Sequence, residues 1–295
     1  MTPNIPLVLG TGAAAAAIFA VGYYRGRLTA PGMRVGGSAF ASINKPTAGA
    51  RFEQKLLRGP QKLQLYSLGT PNGQKVTCLL EELGVPYDAT FINIGSGDQF
   101  GSGFVALNPN SKIPALLDLD APGGGEQRIF ESGAILMYLA EKYHSDLLPS
   151  EPKRRAECLS WLFMNVGAAP YFGNFGHFSV YAPGAKTGDV MPYARDRFKI
   201  ETQRLCAVLE MQLSDGRPYL LDTQLTIADL AWLPWIICLD KFYKARQELE
   251  LDSTYPNLMK WCERLLARPA IALGMQVNGF SAPPGLKNYS TAGKK

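Results

Sequence analysis

The 295-residue chain carries 30 Lys and Arg against 25 Asp and Glu, but five of the cations, Arg25, Arg27, Arg34, Lys45 and Arg51, lie in an acid-free stretch over residues 1–52, so the body beyond it is neutral. A neutral body with no stripe of interleaved cations and aromatic rings argues against a nucleic-acid surface. Five cysteines with no Cys-x-x-Cys spacing argue against a disulfide framework or a structural zinc site, and two histidines undersupply a metal cluster or a Ser-His-Asp hydrolase.

Taken in chain order, residues 5–24 form a charge-free hydrophobic run followed by Arg25 and Arg27. About twenty apolar residues can span a bilayer, although Ala13 to Ala17 and three glycines make this run only moderately hydrophobic. The expectation is a membrane anchor with the folded body facing the cytoplasm; an organellar (mitochondrial) transit peptide and a disordered leader are the alternatives. Residues 28–50, rich in Gly, Ser, Ala, Pro and Thr, read as linker.

The body then alternates. Gln64 to Leu68 reads as a strand, and Gly69 punctuates it. Thr70 is a helix N-cap residue and Pro71 suits the first helical position, so a helix is expected to run to about Leu83. A thiolate or other anion beside Thr70 and Asn72 would be stabilised by the helix N-terminus. Tyr87 to Ile94 is a strand, residues 95–110 a loop with a short helix, Ala115 to Leu119 and Gln127 to Phe130 short strands, and Ser132 to Tyr143 an amphipathic helix. Helical signals follow at Arg154 to Ala168, Pro192 to Leu213, Thr226 to Asp240 and Leu258 to Leu266. The domain reading is a leader and linker over residues 1–52, a small mixed-sheet domain over 61–149, a helical domain over 152–280 and a basic tail over 281–295.

Together these segments resemble the glutathione transferase family, an α/β thioredoxin-like domain followed by an all-α domain. The motifs are Thr70-Pro-Asn-Gly73, Gly97-Asp-Gln-Phe100, Asn108-Pro-Asn-Ser-Lys-Ile-Pro-Ala115, Phe130-Glu-Ser-Gly133, Gly167-Ala-Ala-Pro170, Phe175-Gly-His-Phe178, Pro192-Tyr193 with Arg197, and Thr226-Ile-Ala-Asp229. The nu-class glutathione-dependent disulfide-bond oxidoreductases are the most similar branch.

The resemblance implies a site. Thr70 and Asn72 would hydrogen-bond the sulfur of bound glutathione. Pro114 is similar to the family's cis-proline, which lets the backbone of Ile113 pair with the cysteinyl unit. Glu131 and Ser132 would take the γ-glutamyl ammonium and carboxylate. Gln99 and Lys112 would edge the cleft near the glycyl carboxylate, and Arg197 would reach a second glutathione. Val166 departs from the glutamine common in relatives and puts part of that second site in doubt. Tyr66 is not given a catalytic role, and Thr226 to Asp229 reads as a structural capping box.

Redox members of the wider thioredoxin superfamily place a cysteine at this helix start. Here the nearest, Cys78, is two turns inside the helix, so the thiol must come from the ligand. The implied function is a homodimeric glutathione-dependent thiol–disulfide oxidoreductase acting on small disulfides or peroxides, with glutathione as co-substrate and no metal. Conjugation of glutathione to electrophiles is the alternative in the same class, and a non-catalytic scaffold the alternative in another.

Overall fold

The structure is a computed structural model describing residues 45–182, 185, 191–279 and, as backbone, 286–289. The chain enters the fold at Arg51, whose N–H donates to Phe100 O at 2.8 Å and whose guanidinium lies 3.3 Å from the centre of the Phe100 ring. A sheet of β1 (Leu63–Ser67), β2 (Tyr87–Phe91), β3 (Ala115–Asp118), β4 (Gln127–Phe130) and β5 (Leu286–Tyr289) follows the order β4-β3-β1-β2-β5. Only β1 and β2 pair in parallel, with Leu63 opposite Tyr87. That parallel pair requires a crossover, and α1 (Pro71–Leu83) supplies it.

The segment read as a basic tail contains β5, which adds antiparallel to the edge of β2. Its short run had no partner legible at long range.

Helix α1 begins where Thr70 is extended (φ −82°, ψ 162°) and Pro71 needs no N–H partner. Gly84 ends it in the left-handed region (φ 63°), with its N–H on Glu81 O. A 3₁₀ turn (Asp98–Phe100) and α2 (Ser102–Leu107) follow β2, and α3 (Ser132–Lys142) follows β4.

The helical part consists of α4 (Pro152–Gly176), α5 (Pro192–Gln212), α6 (Ile227–Ile237), and the short α7 (Leu251–Thr254), α8 (Pro256–Leu266) and α9 (Pro269–Gly274). The sequence reading gives α4 as Arg154 to Ala168. Instead the helix runs eight residues past Ala168, and a π-turn over His177–Tyr181 continues it. A proline inside a helix removes one hydrogen bond, and the burial of Ala169, Phe172 and Phe175 around it offsets that loss. Helix α6 is buried over nearly its whole length and packs against both α1 and α4, so one continuous apolar core joins the sheet layer to the helices.

The sequence reading places a membrane anchor ahead of the body. Among the described residues no helix is long and apolar enough to cross a membrane, and residues 5–24, which carried the expectation, lie outside the described residues.

The capping box is structural, as read. Asp229 Oδ2 accepts from Thr226 N and Oγ1 at 2.9 and 3.0 Å, while Oδ1 accepts from Leu220 N at 2.8 Å and Trp261 Nε1 at 3.0 Å. Burial nevertheless holds its carboxyl above the usual range against those four bonds. Asp229→Ala strands several buried donors and is expected to cost about 3 kcal/mol of unfolding free energy. Urea denaturation checks this, and a loss below about 1 kcal/mol would contradict it.

Candidate active site

The turn from β1 into α1 is pinned from behind, where Gly69 N donates to Asn278 O at 2.7 Å. At Gly73 a Cβ would stand 2.0 Å from Leu68 O, so only glycine lets the first turn of α1 close over the strand end. Thr70 occupies the N-cap position, but its side chain makes no cap bond. Its Oγ1 is buried and has no hydrogen-bond partner among the described residues. A buried hydroxyl left this way costs free energy unless a ligand completes it.

Asn72 is fixed differently. Its Oδ1 accepts from Trp235 Nε1 of α6 at 3.1 Å, which turns the amide so that Nδ2 remains to donate. Trp235 is thus a buried core side chain whose indole N–H also orients the Asn72 amide.

Opposite this turn, Asn108 organises the loop that leads into β3. Its Nδ2 donates to Lys112 O at 2.6 Å and its Oδ1 accepts from Asn110 N at 2.9 Å. The Ile113–Pro114 peptide bond is cis, as the resemblance implied. Glu131, at the start of α3, has φ 70°, and its Oε1 accepts from Asn110 Nδ2 at 3.4 Å. A cavity of about 170 Å³ is lined by Asn72, Asn108, Asn110, Lys112, Ile113, Pro114, Glu131 and Ser132. A neighbouring cavity of about 240 Å³ shares Asn72, Glu131 and Ser132 and is also lined by Lys75, Val166 and Trp235.

The fold therefore brings six of the nine expected residues to one cleft and puts Thr70 beside it. Thr70 lines a third cavity of about 360 Å³, with Pro71, Tyr181, Trp235, Phe242 and Tyr243 supplying apolar and aromatic walls. Two expectations do not gather there. Gln99 is buried on its 3₁₀ turn with Nε2 3.4 Å from Ile94 O, and it lines none of the three cavities. Arg197 lies 3.9 Å from Glu201 and 5.9 Å from the centre of the Tyr171 ring, also outside all three. Motif position alone does not say which way a side chain turns.

Lys75 was missed. It is 1% exposed, and its Nζ donates to Asn165 Oδ1 of α4 at 2.6 Å. Burial pulls its pKa down to about 7, opposed by the nearby charge of Glu131. The signal was present in the helical spacing, since residues 72, 75, 76 and 79 fall on one face and two of those are apolar.

The chain's own thiols are poorly suited to attack. All five cysteines are buried, and burial raises Cys206 and Cys238 to about 12 and Cys78 and Cys262 further. Tyr66 is also raised to about 12 by burial, and its hydroxyl donates to Leu57 O at 2.8 Å. A larger cavity of about 540 Å³ beside Tyr66 contains none of the expected site residues, and its Arg58 is already paired with Glu126 at 2.7 Å.

Comparison with known proteins agrees with the geometry. The family model described as the glutathione S-transferase N-terminal domain matches residues 61–141, and that of the C-terminal domain matches residues 192–264. The chain is 46% identical over 256 residues to the disulfide-bond oxidoreductase YghU of Escherichia coli, covering 84% of this chain and 85% of the relative. It is 41% identical over 210 residues to the E. coli disulfide-bond oxidoreductase YfcG, covering 70% and 92%. Among solved structures, the YghU glutathione transferase of Streptococcus pneumoniae complexed with glutathione superposes with a TM-score of 0.75 at 42% identity, covering 94% of this chain and 98% of that one. A glutathione transferase of Pseudomonas putida with one glutathione disulfide per subunit gives 0.70 at 39% identity, covering 76% and 94%.

The localisation expected from the leader is corrected accordingly. The match to the E. coli disulfide-bond oxidoreductase YghU extends over 84% of this chain and 85% of the relative, so neither the membrane-anchored placement nor its organellar alternative is retained.

Burial makes a direct prediction about the thiols. Ellman's reagent should modify fewer than one cysteine per native chain within minutes and all five after denaturation. A rapidly reacting native thiol would contradict the assignment of the sulfur chemistry to a ligand.

Proposed function

The chain belongs to the glutathione S-transferase family, and on that premise we propose that it is a glutathione-dependent thiol–disulfide oxidoreductase that uses the thiolate of bound glutathione. The observation that carries the reading is the unpartnered Thr70 hydroxyl and the oriented Asn72 amide at a helix start without cysteine, facing a cis-Pro114 loop. Both groups donate to the sulfur, and the helix N-terminus favours its negative charge. Ile113 offers its backbone to the cysteinyl unit, and Glu131 and Ser132 take the γ-glutamyl group. Lys112 serves the glycyl carboxylate. Gln99 and Arg197 remain part of the proposal only if they turn toward the cleft with ligand bound.

The thiolate attacks one sulfur of the substrate disulfide. A new S–S bond forms, the old one breaks, and the departing thiolate takes a proton from solvent. A second glutathione thiolate then attacks the mixed disulfide, giving glutathione disulfide and the second substrate thiol. The glutathione disulfide held by the P. putida relative is the product of that sequence. Conjugation to electrophiles is a second reading, favoured by the aromatic walls of the cavity beside Thr70.

The division into a thioredoxin-like unit over residues 61–149 and a helical unit over 152–280 is part of the same proposal, supported by where the two family models match. So is a homodimer. Its support is an apolar stripe on α4, where Phe163 and Val166 are 60% and 40% exposed at helical spacing.

Two sets of variants test this. Replacing all five cysteines should leave disulfide reductase activity in place, whereas Asn72→Ala and Thr70→Val should each lower kcat. Glu131→Gln and Ser132→Ala should weaken glutathione binding roughly ten- to a hundredfold by calorimetry, from about 1.5–3 kcal/mol for each charge-assisted bond. Loss of turnover in a folded single-cysteine variant that still binds glutathione would overturn the ligand-thiol mechanism.

The dimer has its own test. Phe163→Asp should shift the sedimentation mass from two chains to one, and an unchanged mass would remove α4 from the interface.

A further inference from the structure

Lys75 has an environment that ordinary packing does not explain. Lysines normally carry the ammonium to solvent along an extended stem, but here the whole side chain is 1% exposed. Its Nζ has three donors, and one meets a neutral amide, Asn165 Oδ1. Among the described residues no carboxylate lies within ion-pair distance of it. Asn165 is 0% exposed and its own Nδ2 has no hydrogen-bond partner among the described residues. Lys75 borders the cavity of about 240 Å³ that Asn72, Glu131 and Ser132 also line, so a buried cation held by Asn165 stands at the wall where the sulfur and γ-glutamyl groups are placed.

We propose that Lys75 is a positioning residue for the reaction above: its buried ammonium, one turn beyond Asn72 in α1, is the counter-charge of the glutathione thiolate. This rests on the glutathione reading of the cleft. Lys75 does not touch the sulfur, and its charge acts through the interior, where little solvent screens it.

The groups that face it make this coupling specific. From the start of α3 comes Glu131, the one charge acting on it. Helix α4 contributes the neutral Asn165 and α6 the neutral Trp235, while the carboxylate of α6, Asp229, is tied to Thr226, Leu220 and Trp261. Helix α9 has no titratable side chain. On α1 itself, Glu81 accepts from Tyr87 Oη at 2.7 Å, Glu82 pairs with Arg268 at 2.7 Å, and Cys78 is a buried thiol.

With its pKa pulled to about 7, Lys75 holds its proton loosely near neutral pH. An anion arriving at Asn72 reverses that. The thiol S–H gives its proton to solvent, the Lys75 amine takes one up, and the complex holds thiolate and ammonium together. The coupling is reciprocal: whatever Lys75 does to lower the thiol pKa, the thiolate does to raise that of Lys75.

The test is a carbon NMR titration of the wild-type protein with lysine labelled at Cε, assigned by loss of the Lys75 signal in Lys75→Arg. Glutathione should raise the Lys75 ionisation by about one unit or more, and S-methylglutathione, which has no thiol to ionise, by clearly less. Equal shifts with both ligands, or none with either despite binding, would overturn the inference and leave the proposed function standing. Failure of glutathione to bind at all would overturn both.

Kinetics provide the second readout, since the acid limb of kcat reports ionisation of the bound thiol. In Lys75→Met it should move up by about one unit, about a tenfold loss of kcat on that limb, and in Lys75→Arg it should return toward wild type. An unmoved limb in a folded Lys75→Met variant would reduce Lys75 to a packing role.

Discussion

A single hydrogen bond, from Trp235 Nε1 on α6 to Asn72 Oδ1 on α1, decides which way the amide at the start of α1 points. Everything else in the site is arranged around the helix start that this bond orients. Gly73 lets the turn close against the strand, Asn278 pins it from behind, and the Asn108 loop sets the cis-Pro114 face opposite. The orienting indole belongs to α6 and the amide to α1, so the direction of the amide depends on both. The shared core beneath them is what holds the two helices in register.

The chemistry follows from what that helix start lacks. A cysteine there would supply its own thiolate; in the proposed mechanism Thr70 and Asn72 supply donors instead, and the buried cysteines are pushed up out of the reactive range. The protein therefore contributes an electrostatic environment and leaves the sulfur to the tripeptide. A buried lysine behind the turn belongs to the same logic, because a low-dielectric interior makes one unscreened cation effective over several ångströms.

Much of this was legible in the residues. Helix α1 and strand β4 have the bounds that Pro71, Leu83, Gln127 and Phe130 indicated, since caps and turns are local chemistry. The cleft residues from Lys112 to Pro114 and Glu131 to Ser132 were legible as motifs and meet at one cavity. What stayed hidden depends on orientation or on distant partners. The orienting role of Trp235 was hidden because its indole N–H partner lies 163 positions away. Lys75 belongs to no motif role and was missed, Gln99 and Arg197 kept motif positions without lining the cleft, and β5 is placed only by its pairing with β2. The hydrophobic leader misled because an apolar run fits a membrane span and other ends equally well.

The central claim is that this site holds glutathione as its thiolate. The most direct measurement is the ultraviolet absorbance of the thiolate in the wild-type complex followed against pH, with the protein alone as reference. Bound glutathione should ionise at least about one unit below the roughly 8.5 of a free cysteine thiol. Ionisation at the free value, with glutathione demonstrably bound, would contradict the account.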